Sequence, residues 1–220
     1  MAAFHYSDIP RFHVAVDCMI FSVIAGKLHI LLVERDFEPE KGKWSLIGGF
    51  VEEKESVDNA AIRVLKDLTG ISDVYIKQIG AFGEVLRDPG ARVISVAYFA
   101  LLNIEDINIL KDDKVKWTDL ENLPDLGFDH PEMIRKALDV MREKILSESL
   151  AFNLLPEFFT LTQLQNLVES VMGRKLDKRN FRKRVLEHPG LLPTGLIDKQ
   201  SSKRGAKLYK FEINPKKHIS

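Results

Sequence analysis

Residues 48–71 read GGFVEEKESVDNAAIRVLKDLTGI and carry the most regular pattern in the chain. Gly49 is followed after five residues by Glu55, and Arg63 comes after seven more. From Glu55 to Thr69 the apolar residues recur at helical spacing, and a glycine follows at the point where a helix would stop. The stretch therefore predicts a glycine-containing loop that leads directly into an amphipathic helix.

The spacing of this stretch resembles the Nudix box, whose pattern is Gly, five residues, Glu, seven residues, and then Arg-Glu-apolar-x-Glu-Glu-x-Gly-apolar. The positions that match this pattern are Gly49, Glu55, Arg63, Leu65, Gly70 and Ile71. The order of the flanking strands and the phrase VKWTDLENLP also look like this family, so the resemblance covers residues 10–146. It implies an α+β fold, a Nudix α/β/α sandwich with a mixed sheet.

The box departs from that of active family members at its metal ligands. In those members three Glu of the helix hold a divalent metal, at the positions of Val64, Asp67 and Leu68 here. Their spacing puts them on one helix face, where Mg²⁺ needs oxygen ligands. Because Val64 and Leu68 offer no oxygen, we expect no catalytic residue, metal or cofactor in this box. The other carboxylates, which form either a weak metal site or solvated surface charges, are Glu52, Glu53 and Glu55.

A fold that keeps its frame and loses its catalytic ligands is expected to keep a pocket, here between the box helix and the sheet. Trp44 offers a flat apolar face to a sugar or a base, and an arginine can hold a phosphate through two hydrogen bonds. Arg63 is expected either to pair with Glu55 or to bind a ligand. His130 is expected to begin a helix rather than to bind a ligand. The candidate effector-binding residues are Arg35, Trp44, Gly48, Gly49, Phe50, Glu84, Arg87, Asp88 and Arg92.

Apolar runs around the box predict the remaining elements of the first half. The predicted strands and the one long helix are Phe12–Ile24, Leu28–Glu34, Val74–Val85, Arg92–Leu102, Val115–Trp117 and, for the helix, Pro131–Leu146. We divide the chain into a Nudix-like effector-binding domain (1–146), a linker (147–156) and a winged-helix domain (157–220).

The net charge of zero hides two opposite halves. Residues 151–220 hold 14 Lys and Arg against 6 Asp and Glu, a net charge of +8, so residues 1–150 carry −8. A compact basic segment indicates a polyanionic partner, of which nucleic acid is the first candidate. The alternative is a solvated basic tail, which does not account for the apolar periodicity of the segment.

The basic segment predicts a helix–turn–helix followed by a hairpin. Leu161–Met172 and Lys178–Glu187 are the two helices, and Leu196–Lys199 and Lys207–Phe211 are the strands of the hairpin. The second helix can enter the major groove of DNA, where Arg and Asn recognise base edges. The alternative is a helix pair that binds another protein. The candidate DNA-binding residues are Lys178, Arg179, Asn180, Arg182, Lys183, Arg184, Lys203 and Arg204.

The two halves in this order resemble the Nudix-related transcriptional regulators. That resemblance implies a homodimer that binds a double-stranded DNA operator and responds to a small molecule, either a sugar or a nucleotide sugar such as ADP-ribose, without hydrolysing it. The sequence looks closer to the arabinose-responsive branch than to the ADP-ribose-responsive one. The alternatives are a Mg²⁺-dependent hydrolase of ADP-ribose or a related nucleoside diphosphate derivative, and an adaptor whose basic end docks on an acidic protein.

Other features of the chain concern its location. Cys18 is the single cysteine and lies in an apolar run, so we expect a buried thiol and no disulfide within the chain. The N-terminus lacks a signal-peptide pattern, and no run approaches the ~18 apolar residues of a membrane span. We therefore expect a cytoplasmic protein without a membrane partner.

Overall fold

A computed structural model describes residues 9–71, 74–104, 113–145, 150–199 and 205–212. The strands of its first half are β1 His13–Ile24, β2 Lys27–Glu34, β3 Trp44–Ser45, β4 Ile47–Phe50, β5 Tyr75–Phe82, β6 Val93–Leu101 and β7 Val115–Asp119. The helices of this half are α1 Val57–Thr69 and α2 His130–Lys144. Within the described residues no helix is both long enough and apolar enough to cross a membrane.

β1 is the central strand of a seven-stranded mixed sheet. Along one edge it pairs antiparallel with β4 at Ala15–Cys18 and then with β2 at Phe21–Ile24. Along the other edge it pairs parallel with β6. The remaining pairs, β2 with β3 and β7 and β5 with β6, are antiparallel. The predicted mixed sheet is therefore confirmed.

The two faces of this sheet are covered by different helices. Alternate residues of β1 point to opposite faces, so Cys18 packs in one cluster with Leu65 of α1. Met19 packs in the other cluster with Met133 and Ala137 of α2. The predicted sandwich of helices around the sheet is confirmed, and Cys18 is buried as expected.

α1 is the helix predicted from the box, and its ends have clear causes. It begins at Val57, two residues later than predicted, because the Ser56 side chain accepts a hydrogen bond from Asn59 N and caps the helix. It ends at Thr69, where Gly70 adopts the left-handed conformation with φ 72° and its N–H donates to Lys66 O.

The second half is a small winged helix. Its elements are β8 Phe159–Thr160, α3 Leu161–Met172, α4 Lys178–Leu186, β9 Leu191–Asp198 and β10 Ala206–Phe211. The strands form a sheet in the order β8-β10-β9. β9 begins five residues before the predicted strand, because Leu191 already pairs with Phe211 on β10.

One hydrophobic core connects the two halves. It contains Met19 of β1, Met141 of α2, Val168 of α3 and Val185 of α4. Residues Leu150–Leu154, within the predicted linker, form a 3₁₀ helix whose Leu and Ala side chains are buried in this core. The linker segment is thus packed where the structure describes it, and the division into domains stays a prediction.

β3 and β4 are the two strands of the sheet that the sequence did not predict. Each is short, and β4 contains two glycines, so neither shows an alternating apolar pattern. They form because β4 pairs with β1 and β3 pairs with β2. These pairings bring the start of the box against the central strand.

Candidate functional site

A cavity of about 330 Å³ lies beside β4, at one end of β1 and β2. This volume is within the range of small-molecule sites, roughly 300–1,000 Å³. The predicted effector-binding residues that line it are Arg35, Gly48, Gly49, Phe50, Arg87 and Asp88. They come from strand β4 and from the loops that follow β2 and β5.

The remaining predicted effector-binding residues, Trp44, Glu84 and Arg92, lie outside the lining of this cavity. Lys116 Nζ sits 3.6 Å from the centroid of the Trp44 ring, so that ring faces β7. Arg92 stacks on Phe12 and donates to the Glu84 carbonyl over 3.1 Å. These three residues were expected to reach the cavity, and the structure places them outside its lining.

The floor of the cavity is a buried carboxylate that the sequence analysis missed. Asp17 of β1 accepts a 2.6 Å hydrogen bond from Ser95 Oγ and lies 3.3 Å from Arg87 Nη2. Its other oxygen is 3.6 Å from His130 Nε2. Burial alone would raise the pKa of Asp17, but contacts with His130, Ser95 and Arg87 hold that pKa below its ordinary range.

Arg87 is the residue that ties the loop after β5 to the rest of the site. Its guanidinium donates to both carboxylate oxygens of Asp129, over 2.9 and 2.7 Å, and also reaches Asp17. Burial alone would lower the pKa of Arg87, but hydrogen bonding to Asp129 and the charge of Asp17 raise it. Because Asp129 immediately precedes α2, the loop is fixed to the start of that helix.

His130 is the first residue of α2 and lines the same cavity. The prediction that it begins a helix is therefore confirmed. The ring is buried, and its Nδ1 accepts a 3.1 Å hydrogen bond from Leu46 N. Its Nε2 side faces Asp17. The start of α2 is thus part of the cavity wall.

The rim of the cavity carries an arginine between two aromatic rings. The Arg35 guanidinium lies 4.3 Å from the Phe37 ring centroid and 4.8 Å from that of Phe128. Its Nε donates to Pro39 O over 2.8 Å. Phe37 is 61% exposed, so the rim presents a planar cationic and aromatic surface to solvent.

The box helix pairs its arginine with a carboxylate and packs two of its three metal-ligand positions in or against the core. Arg63 makes a two-point pair with Glu55, over 2.6 and 3.1 Å, and also donates to Phe50 O. The pairing alternative for Arg63 is therefore the one the structure shows. Hydrogen bonding to Arg63 lowers the pKa of Glu55.

These positions do not fit a catalytic metal. Val64 lies in the core cluster that contains Cys18 and Leu65, and a Cβ added at Gly49 would lie 3.0 Å from a methyl group of Val64. Leu68 packs against the same cluster. Asp67 is exposed, and Glu52 lies 3.7 Å from Arg63. Across the described ranges, no three His, Cys, Asp or Glu side chains converge as a metal site.

α4 presents the basic surface of the winged helix. Phe181 and Val185 are buried, and Asp177 caps the helix by accepting from Asn180 N over 2.8 Å. The predicted DNA-binding residues that are exposed here are Lys178, Arg179, Asn180, Lys183 and Arg184. The exposed side of α4 therefore carries four cations together with Asn180 and Leu186.

Arg182 differs from the other predicted DNA-binding residues. It is half-buried, its Nη2 lies 3.5 Å from Thr162 Oγ1, and its Nε finds no acceptor among the residues the structure describes. Arg182 thus braces α4 against the start of α3. Lys203 and Arg204 lie outside the described residues.

A second buried carboxylate, also missed from the sequence, holds the turn between α3 and α4. Glu169 accepts from Lys175 Nζ over 2.8 Å, from Leu176 N over 3.0 Å and from Gln165 Nε2 over 2.9 Å. These hydrogen bonds, with Lys175 the strongest contributor, lower its pKa to about 2. Asp17 and Glu169 share one recognisable sequence signal, an acidic residue within an apolar run.

Comparison with known proteins gives matches to both halves. The NUDIX domain family matches residues 11–137, and the family described as the NrtR DNA-binding winged helix domain matches residues 151–211. The chain is 36% identical over 219 residues to the ADPR responsive transcriptional repressor NtrR of Acinetobacter baylyi, across 97% of this chain and 87% of the relative.

Two solved structures are similar to this one. The crystal structure of Shewanella oneidensis NrtR complexed with a 27mer DNA has a TM-score of 0.81 and 33% identity, and covers 90% of this chain and 93% of that one. The NUDIX domain of the same protein complexed with ADP ribose has a TM-score of 0.55 and 30% identity, over 63% of this chain and 94% of that one. The expected closeness to the arabinose-responsive branch is not supported by these comparisons.

Proposed function

Since the chain belongs to the Nudix family, in the branch that carries an NrtR-type winged helix, we propose that it is a ligand-responsive transcriptional repressor. In this proposal α4 binds a double-stranded DNA operator, and ADP-ribose in the cavity causes its release. The observation that carries the proposal is that a cavity with charged side chains at its floor and rim is joined to a cationic helix through one shared core.

The cavity chemistry suits a nucleotide sugar better than a free pentose. Arg35 at the rim supplies a positive charge and a stacking surface, which a phosphate and a base can use. Asp17 and Arg87 on the floor supply an acceptor and a donor for sugar hydroxyls. An arabinose molecule has neither the anionic group nor the aromatic ring to occupy the rim.

We further propose that the bound ligand is kept intact. Cleavage of a pyrophosphate in this fold needs carboxylates to hold a divalent metal. Val64 and Leu68, at two of the three positions, are hydrocarbon packed in or against the core, and the Glu55 carboxylate is already paired with Arg63. The chain also acts as a homodimer in this proposal, since a two-fold protein recognises a palindromic operator.

The DNA-binding part of the proposal is tested by removing single positive charges from α4. Arg179→Gln and Lys183→Gln should each weaken binding to the DNA upstream of the gene by about tenfold in fluorescence anisotropy, because each removes one exposed cation from the face that meets phosphate or base edges. Lys136→Gln, an exposed change on α2, is the matched control and should leave DNA affinity unchanged. Equal losses for all three variants would contradict the proposal.

The ligand part is tested by isothermal titration calorimetry with ADP-ribose and with arabinose. ADP-ribose should bind, and Arg35→Gln should weaken that binding by about tenfold because a charge-assisted contact is lost. Chromatography of ADP-ribose incubated with protein and Mg²⁺ should recover it unchanged. Turnover would establish the hydrolase alternative, and tighter binding of arabinose would establish the other branch.

A further inference from the structure

Two elements of the first half have one end at the cavity and the other end on α3. β2 carries Val33 and Glu34 into the cavity wall, and Arg35 follows directly. α2 begins at His130 in the same wall. β2 is hydrogen-bonded to its neighbouring strands and α2 is hydrogen-bonded within itself, so both elements are stiff along their length. A displacement at one end of either element is therefore passed to its other end.

At its far end, β2 is hydrogen-bonded to the winged helix. The N–H of Leu28, the second residue of the strand, donates to Ser170 Oγ of α3 over 2.7 Å. The seven residues from Leu28 to Glu34 are six steps apart end to end and span about 20 Å at the usual strand rise. A shift at the cavity end of β2 therefore reaches α3 through a single strand.

The far end of α2 makes a second hydrogen bond to the same turn. Arg142 Nε donates to Val171 O over 3.0 Å. The thirteen residues from His130 to Arg142 are twelve steps apart end to end and span about 18 Å at the helical rise. The two lengths are similar. β2 and α2 therefore make two separate connections between the cavity and α3, one at Ser170 and one at Val171.

Ser170 and Val171 lie where a shift of α3 can affect the start of α4. They lie in the last turn of α3, which ends at Gly173 in the left-handed conformation. Glu169, the preceding residue, holds Lys175 and Leu176 of the turn that leads into α4. The same helical turn thus receives both connections and fixes the start of the basic helix.

Directional bonds matter here because the packing that joins the two halves includes a shared apolar core. The shared core contains Val168 and Val171 of α3 together with Leu28 and Met141. Apolar burial favours contact but is non-directional, so it permits small shifts of one surface over another. Hydrogen bonds at 2.7 and 3.0 Å set the register, and a shift of a few tenths of an ångström weakens them.

We propose that the last turn of α3, at Ser170 and Val171, is where occupancy of the cavity is transmitted to the DNA-binding helix. Ser170 and Arg142 are the positioning residues of this junction. The inference rests on the proposed function, because it requires that a ligand in the cavity changes DNA affinity. By linkage, the junction carries the difference between the two states and not the affinity for either ligand alone.

The test measures a coupling ratio, the DNA dissociation constant with saturating ADP-ribose divided by that without it. Ser170→Ala removes the acceptor of Leu28, and Arg142→Lys keeps the charge beside Asp139 but removes Nε. Each should lower the coupling ratio by about three- to tenfold, the worth of one hydrogen bond. ADP-ribose affinity without DNA, measured by calorimetry, should not change.

Matched controls separate positioning from general destabilisation. Asn166→Ala changes an exposed residue one turn earlier on α3, and Arg135→Lys makes the same exchange at an exposed position of α2. Both should keep the wild-type ratio, and Ser170→Thr, which keeps a hydroxyl, should keep it as well. Melting temperatures of all variants show whether a loss of coupling follows a loss of folding.

The outcomes distinguish this inference from the function on which it rests. A wild-type ratio of one rejects the proposed function and this inference together. Wild-type release of DNA with an unchanged ratio in Ser170→Ala and Arg142→Lys rejects the inference alone. Equal losses in the variants and in their controls also reject it, because the effect would then not belong to the junction.

Discussion

At Gly48 the backbone of β4 passes so close to β1 that no side chain fits. An added Cβ would lie 2.5 Å from Asp17 Oδ1 and 2.8 Å from Val16 O. One of these atoms is backbone, and the other belongs to a carboxylate held by Ser95 and Arg87. Neither can move without breaking the cavity floor, so Gly48 is required for the site as well as for the sheet.

Gly48→Ala should therefore destabilise the protein and weaken ADP-ribose binding. Overpacking against backbone costs about 1–3 kcal/mol, which urea unfolding followed by circular dichroism detects. Gly83→Ala is the matched control, because a Cβ there meets nothing closer than 3.9 Å and should leave both properties near wild type. A Gly48→Ala protein with wild-type stability and affinity would show that the strand contact is looser than described.

Among the described helices, α1, α3 and α4 each begin with a side-chain cap, and the caps of α1 and α4 lie in different halves of the chain. Ser56 caps α1 in the first half, and Asp177 caps α4 on the basic surface. Each side chain accepts a hydrogen bond from a backbone N–H three residues on. The two caps therefore allow the effect of a frayed helix start to be compared between the halves.

Removing each cap should cost about 1 kcal/mol of stability. Asp177→Ala should in addition lower DNA affinity about threefold or more, because the first turn of α4 carries Lys178, Arg179 and Asn180. Ser56→Ala should lower stability alone. Anisotropy with operator DNA and urea unfolding of both variants provide the check, and equal DNA affinities in the two variants would contradict the role given to α4.

Because of Glu169 in the turn between α3 and α4, the free energy of unfolding of the protein should fall at acidic pH. The pKa of Glu169 is lowered from about 4.5 to about 2, so its ionised form stabilises the folded state. That contribution is complete above the ordinary pKa of the carboxyl and is lost as pH falls through the folded value. The relevant window is therefore between about pH 4.5 and pH 2.

Urea unfolding at stepped pH values from 5 to 3 should show this loss. Wild type should lose more stability over the window than Glu169→Gln, which has no charge to lose at this position. Glu157→Gln, outside the Glu169 hydrogen-bond network, serves as the comparison and should follow the wild-type curve. Parallel curves for wild type and Glu169→Gln would show that Glu169 does not stabilise the turn.

At the scale of the whole molecule, the sequence predicts what depends on local pattern. The box spacing predicted α1 and its burial of Val64 and Leu65, and the charge division predicted a basic winged helix. The sequence did not predict β3 or β4, because their formation depends on pairing with distant strands. Asp17 and the junction at Ser170 were missed for the same reason, since their partners lie up to 142 positions away. The partners of Glu169, by contrast, lie only four to seven positions away.

If ADP-ribose in the cavity releases DNA from α4, a single experiment can follow both halves of the protein at once. Labelled DNA from upstream of the gene is saturated with protein, ADP-ribose is added with Mg²⁺, and anisotropy and the amount of intact ADP-ribose are followed together. The DNA should dissociate, and all of the ADP-ribose should be recovered. DNA that stays bound at saturating ADP-ribose, or ADP-ribose that is consumed as the DNA is released, would contradict the proposed function.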